Sequence, residues 1–233
     1  LGISRMDLHN PVLLERTLEA LDDKSIPLET FHDLLARRIL HEPLQYITGT
    51  AYFRNLELKV GPGVLVPRPE SELLVGAVLT HIANLPAPVS VIDLGSGSGA
   101  LALAIATEAS NSRVIAVEKS DEALVWLKKN VESIVEDLRI VHSDVNDALP
   151  GIKCDVVIAN PPYIRIQDLD VDERRLLQKQ YAFCQRGSTD IFLAFFELSL
   201  NILGPDGVLA FINSRSFFDS AAAADFRRSV SDN

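Results

Sequence analysis

Residues 158–163 read Ile-Ala-Asn-Pro-Pro-Tyr, and Asn160, Pro161, Pro162 and Tyr163 are the types needed to handle a planar nitrogen. An amide or aromatic amino nitrogen is a poor nucleophile because its lone pair is delocalised. The side-chain oxygen of Asn160 and the main-chain carbonyl of Pro161 can both accept its N–H groups. That turns the lone pair toward an electrophile and stabilises the positive charge that develops. Neither proline has an N–H to compete, and their fixed φ stiffens the loop. Tyr163 offers a flat face to a planar group. Alone, the tetrad reads rather as a rigid turn after a strand, so its neighbours in the fold must decide.

Asp93-Leu94-Gly95-Ser96-Gly97-Ser98-Gly99 is the second constellation. Gly95, Gly97 and Gly99 allow a tight turn and close approach to a ligand, and a following helix start adds N–H donors. Such a turn by itself is equally a plain strand–helix connection or a dinucleotide site. Two further acids change the balance. Glu118 ends the next strand, where a carboxylate can accept both hydroxyls of a ribose. Asp144 ends the one after, within reach of an adenine amino group. Each acid alone is an ordinary solvated strand end. Three at successive strand ends, with the glycines, point to an adenosine-bearing cofactor, with Asn160 closing the site from the fourth strand.

Other reactive residues cluster less. His9, His32, His41, His81 and His142 have no metal-ligand spacing, and neither do Cys154 and Cys184, so no metal is expected. Asp168, Asp170 and Asp172 begin like a calcium loop, but Glu173 stands where a glycine is required and Lys179 where the closing glutamate belongs. That stretch reads as a solvated loop, and Trp126 as a packing residue.

These residues are carried by alternating short apolar runs and amphipathic helices. Val89–Ile92, Val114–Val117, Leu138–Val141, Val156–Ile158 and Val208–Ile212 are strand candidates. Helices are expected from Ala100, over 120–135 and over 191–203. This order builds an α/β, doubly wound parallel sheet. After the fifth strand only one helix, about 217–230, is expected, so the sheet should lack a closing antiparallel pair. Before the sheet, Leu13, Leu14, Leu18 and Leu21, then Phe31, Leu34, Leu35 and Ile39, recur at helical spacing. Tyr52–Val66 reads as a β-hairpin turning at Gly61-Pro62-Gly63, after which Pro67-Arg68-Pro69 breaks the pattern and Ser71 caps a helix. Three domains result: a helical domain over 1–50, a hairpin linker over 51–70 and a cofactor-binding catalytic domain over 71–233.

The chain has 233 residues, 47% apolar and 23% charged, with a net charge of −10. That balance disfavours a phosphate-neutralising surface, although Arg174, Arg175 and Lys179 form a local basic group. No apolar run is long enough for a membrane span and no signal-peptide pattern opens the chain, so a cytoplasmic location is expected.

The layout of residues 89–212 resembles the class I, Rossmann-like S-adenosylmethionine-dependent methyltransferases. Further residues narrow the likeness: Glu42-Pro43-Leu44-Gln45-Tyr46-Ile47-Thr48-Gly49, Phe53, Val66-Pro67-Arg68-Pro69-Glu70-Ser71-Glu72, Asp93–Gly99 and Asn160–Tyr163. Together these resemble the HemK/PrmC family of glutamine-N5 methyltransferases. That resemblance implies S-adenosylmethionine as cofactor and a peptide-chain release factor as partner, its Gly-Gly-Gln glutamine being the acceptor. It further implies that residues 1–50 dock the release factor, that Asn160 and Pro161 hold the amide, and that Phe53, Pro67, Arg68 and Pro69 lie on the substrate side. After Tyr163 the pattern changes. Ile164–Leu169, Ser188–Phe192 and Leu209–Phe217 are similar to adenine-N6 DNA methyltransferases of restriction–modification systems, in which the same tetrad holds a flipped adenine. Glutamine methylation is therefore the leading expectation, DNA adenine methylation the second, and a cofactor-binding scaffold with little turnover the third.

Overall fold

The structure is a computed structural model that describes residues 28–185 and 190–213. The helices expected over 11–22 and 217–230, and residues 188, 189 and 214–217 of the DNA-enzyme likeness, lie outside the described residues. The chain divides into two compact units, Leu1–Thr48 and Gly49–Asn233. Among the described residues no helix is long and apolar enough to cross a membrane, and no group of three or more His, Cys, Asp or Glu could hold a metal ion.

The first unit contains α1 (Leu28–Ile39) and α2 (Leu44–Thr48). Arg37 Nε donates to Glu42 Oε2 at 2.7 Å, and Arg38 Nη1 to the Glu42 carbonyl at 2.9 Å, fixing the turn between them.

The second unit opens with a two-stranded hairpin, β1 (Thr50–Phe53) and β2 (Leu56–Lys59). Its turn is Arg54-Asn55, with Arg54 in the left-handed region at φ 50°, rather than the expected Gly61-Pro62-Gly63. Residues 61–66 form no strand. Arg54 is held there by tertiary bonds. Its guanidinium grips Glu108 in a bidentate pair at 2.7 Å on each arm, and its N–H donates to Glu72 Oε1 at 3.0 Å. Then comes α3 (Glu70–Ile82). Its N-cap is Pro69, with no side-chain bond, and Ser71 lies buried inside the first turn. The expected serine cap is thereby corrected. A proline needs no N–H partner at a helix start, so it suits that position.

A parallel five-stranded sheet in the order β5-β4-β3-β6-β7 forms the core. The strands are β3 (Val89–Leu94), β4 (Ser112–Glu118), β5 (Arg139–His142), β6 (Cys154–Ala159) and β7 (Leu203–Phe211). Helices α4 (Ala100–Glu108), α5 (Asp121–Ile134), α6 (Val171–Gln180) and α7 (Phe192–Ile202) complete the unit. β3, β6 and α4 are almost wholly apolar and buried, as a strand covered on both faces requires. No antiparallel strand joins the sheet among the described residues. The stretch read as a solvated loop is instead the start of α6: Asp170 is its N-cap, accepting from the N–H groups of Asp172 and Glu173 at 2.8 and 2.9 Å.

Candidate active site

Strand order reverses between β3 and β6, with β4 and β5 on one side and β7 on the other. Chains leaving the carboxyl ends of β3 and β6 diverge there and open a crevice, the usual ligand position in such sheets. The Gly-rich turn follows β3 and the Asn-Pro-Pro-Tyr tetrad follows β6. Asp93 stands opposite Ile158 in the ladder, so the two motifs are side by side on one edge.

The Gly-rich turn is held from several directions. Gly95 and Ser96 donate to the Val117 carbonyl at 2.9 and 3.0 Å, and Gly97 to Glu118 Oε2 at 2.8 Å. Gly99 caps α4 at φ 86°, where a Cβ would stand 2.7 Å from Leu127 Cδ1, so only glycine fits. The other Glu118 oxygen accepts from the N–H groups of Lys119 and Ser120 at 2.9 and 2.8 Å. This carboxylate therefore joins the turn after β3 to the turn after β4.

Asp93 is fully buried beneath the loop. Its Oδ2 accepts from Ala102 N–H at 3.2 Å, and its Oδ1 has no partner among the described residues. Burial pushes its pKa up to about 7; hydrogen bonds from Ser96 and Ala102 oppose the rise and the Glu118 charge adds to it. Asp144 accepts from the N–H and side-chain amide of Asn146 at 3.0 and 2.7 Å and pairs with Lys119 Nζ at 3.0 Å. Burial alone would raise this carboxyl, but those donors outweigh it and hold it below the usual range. Lys119 also lies 3.7 Å from Glu173 of α6, and the buried Tyr181 hydroxyl donates to Asn146 Oδ1. Glu197 of α7 holds Tyr181 in place by accepting from the N–H groups of Ala182 and Phe183, both at 3.0 Å.

On the other side of the crevice Pro161 is buried, while Pro162 and Tyr163 are exposed. The Asn160 side chain makes no hydrogen bond among the described residues and keeps its capacity for a ligand. The Tyr163 hydroxyl donates to the Ile212 carbonyl at 2.6 Å, which pins an otherwise half-exposed ring to the end of β7. Partial burial raises its pKa. Asn160–Tyr163, Asp93, the glycines, Glu118 and Asp144 thus gather at the carboxyl ends of four adjacent strands.

Phe53 is placed differently. It is buried in the core of the hairpin, and its side chain has no open face for a substrate. Pro67 is half-buried, Arg68 and Pro69 are exposed, and the Arg68 carbonyl accepts from Ser71 N–H at the start of α3. Sequence reasoning passes over Asn130 of α5, which is fully buried and bonds to both the hairpin and the Gly-rich turn. A signal is present: Asn130 lies between Leu127 and Val131 on the apolar face of α5, where a polar residue needs a partner.

The sheet order and the site at its reversal define the class I S-adenosylmethionine-dependent methyltransferase fold. A class I methyltransferase structure from Listeria monocytogenes matches 97% of this chain and 67% of its own at a TM-score of 0.63, with 18% identity. A release factor glutamine methyltransferase of Bifidobacterium longum is 38% identical over 225 residues, covering 89% of this chain and 74% of its own. That of Streptomyces coelicolor is 40% identical over 185 residues, 77% of this chain and 65% of its own. The Eco57I restriction-modification methylase family model matches residues 101–233. The chain belongs to the release factor glutamine methyltransferase family, with a segment, residues 101–233, that also falls in the Eco57I restriction-modification methylase family. It spans about half to two thirds of the length of most of the curated relatives it matches.

Proposed function

We propose that this protein transfers a methyl group from S-adenosylmethionine to the side-chain amide of a release-factor glutamine in a Gly-Gly-Gln loop. The observation that carries the reading is the pairing, across the β3–β6 reversal, of a Gly-rich turn ringed by acids with an Asn-Pro carbonyl pair whose Asn side chain makes no hydrogen bond among the described residues. The residues suit the cofactor. Asp93 Oδ1 is a buried acceptor that calls for a donor, and Glu118 and Asp144 offer carboxylates where ribose hydroxyls and an adenine amino group would sit. When bound, S-adenosylmethionine would supply a methyl on a sulfonium whose thioether is a good leaving group, so the transfer needs neither a metal nor a strong base. Asn160 Oδ1 and the Pro161 carbonyl accept the two amide N–H bonds, which takes the lone pair out of conjugation and aims it at the methyl. These oxygens would stabilise the positive charge that develops on the nitrogen as it takes the methyl, and the proton it then sheds would pass to water. Tyr163 covers the planar group from the side, with Pro67, Arg68 and Pro69 on the substrate side.

The first unit, with residues 1–50, is proposed to dock the release factor, the hairpin linker to join it to the catalytic domain over 71–233, and the cytoplasm to be the location. The family match over residues 101–233 favours a second reading, N6-methylation of a DNA adenine by the same tetrad. The net charge of −10 weighs against it, since DNA binding releases counterions only where basic groups replace them. Labelled S-adenosylmethionine offered with a release factor or with adenine-containing duplex DNA separates the readings. Label on the release factor, lost when the Gly-Gly-Gln glutamine is replaced, supports the first. Label on DNA alone overturns it, and cofactor binding without transfer to either indicates a scaffold.

A further inference from the structure

Helix α5 carries a straight stripe at positions 122, 126 and 130, one turn apart, and the linker after the hairpin lies along it. Asn130 meets Lys59: its Oδ1 accepts from Lys59 N–H at 2.7 Å and its Nδ2 donates to the Lys59 carbonyl at 3.0 Å. Trp126 meets Gly61 and Pro62: its Nε1 donates to the Pro62 carbonyl at 3.1 Å, and a Cβ on Gly61 would stand 2.3 Å from its ring. Glu122 meets Gly63, where a Cβ would stand 2.5 Å from the Glu122 Cβ. Eight helical residues rise ~12 Å, and the linker follows them before turning at 61–64, where the Val64 N–H donates to the Gly61 carbonyl at 3.3 Å. At the end of this track Val64 is buried, with its methyl 3.8 Å from where a Cβ on Gly97 would be.

Asn130 has one further bond. Its Nδ2 also donates to the Ser98 carbonyl at 2.9 Å, inside the Gly-rich turn. A single fully buried amide thus mimics a strand residue toward β2 and anchors the loop between Gly97 and Gly99. Both donors of its amide are used, and the helix face around it is apolar.

We infer that Asn130 is a positioning residue that couples the substrate-side linker to the cofactor turn, so that filling the cofactor site tightens the linker leading to Pro67, Arg68 and Pro69. This rests on the cofactor assignment proposed above. The Glu122–Trp126–Asn130 track makes the linker and the turn one mechanical unit, and Asn130 is the point where both ends meet.

Hydrogen exchange of the whole protein, with and without S-adenosylhomocysteine, tests the coupling. The Lys59 N–H already bonds to Asn130, so binding acts by making the opening of that bond rarer, and exchange of the Lys59 amide should slow by about tenfold or more. Asn130→Asp keeps an acceptor for Lys59 N–H but loses both donors. It should weaken S-adenosylhomocysteine binding by about tenfold and abolish the Lys59 response. Ser90→Ala serves as the control. It removes the two bonds of Ser90 Oγ, donated to Asp155 Oδ2 at 2.7 Å and accepted from Asp155 N–H at 3.0 Å, at the ends of β3 and β6 away from the site, and should lower thermal stability while leaving affinity and the Lys59 response unchanged. The inference is overturned if Asn130→Asp behaves like Ser90→Ala. Should that variant not fold, the wild-type exchange decides: ligand binding with no slowing at Lys59 overturns the coupling and leaves the cofactor assignment standing. No binding by wild type removes the cofactor assignment and this inference together.

Discussion

Replacing Asp93 with asparagine should make the protein progressively more stable relative to wild type as the pH rises. Burial lifts the Asp93 carboxyl from an ordinary 3.8 to about 7 in the folded state. Between those pH values the folded protein holds a proton that the unfolded chain has released. Wild-type stability from this group is therefore fully present below the lower value and declines until the pH passes the upper one. That rise, from 3.8 to about 7, corresponds to ~4 kcal/mol in all, of which ~2.5 kcal/mol falls between pH 5 and pH 8. The amide of Asp93→Asn has no such titration, and the remaining ionisable groups are common to both proteins, so their effects cancel in the difference. Urea unfolding of both proteins at the two pH values gives the result directly. The stability of Asp93→Asn minus that of wild type should widen by ~2.5 kcal/mol from pH 5 to pH 8. An equal difference at both values refutes the claim that burial keeps this carboxyl protonated. The variant should also bind S-adenosylhomocysteine more weakly: if the amide oxygen keeps the bond from Ala102 N–H, an NH2 donor replaces the acceptor at the Oδ1 position that would meet a ligand donor.

Further outcomes follow from single contacts. Asn160→Ala should cut methyl transfer by about 10²–10³-fold, the usual effect of removing one group that stabilises developing charge, with cofactor affinity by calorimetry nearly unchanged. Tyr163→Phe removes the 2.6 Å bond to the Ile212 carbonyl, a loss of ~1 kcal/mol; kcat should fall about fivefold with the KM for cofactor unaltered, as steady-state kinetics would show. Gly61→Ala places a Cβ 2.3 Å from the Trp126 ring and should destabilise by ~2 kcal/mol on calorimetric unfolding. Trp126 is the single tryptophan of the chain, so a shift in intrinsic emission should accompany that change.

The elements that hold the site are legible where local pattern and tertiary environment agree. A buried parallel strand must be largely apolar, so Val89–Ile92 and Val156–Ile158 stand out, and the glycines after the first mark its turn. Sequence reading goes astray where a long-range contact sets the conformation. Gly61-Pro62-Gly63 carries the stronger turn composition, yet the hairpin turns at Arg54-Asn55 because Glu72 and Glu108 hold Arg54 in place. The glycines at 61 and 63 are required by the close approach of α5. Asp168, Asp170 and Asp172 read as solvated when they are weighed only as metal ligands. Asp170 followed three residues later by Glu173 is also a helix-start pattern, and α6 begins there. Asn130 is hidden for a similar reason: its partners come from segments 32 and 71 residues away in sequence.

Tandem mass spectrometry of the Gly-Gly-Gln peptide, taken from a release factor incubated with S-adenosylmethionine and this protein, tests the central claim most directly. The account predicts one added methyl on the glutamine side chain, present with wild type and absent with Asn160→Ala. An unmodified glutamine alongside N6-methyladenine in co-incubated DNA would contradict it.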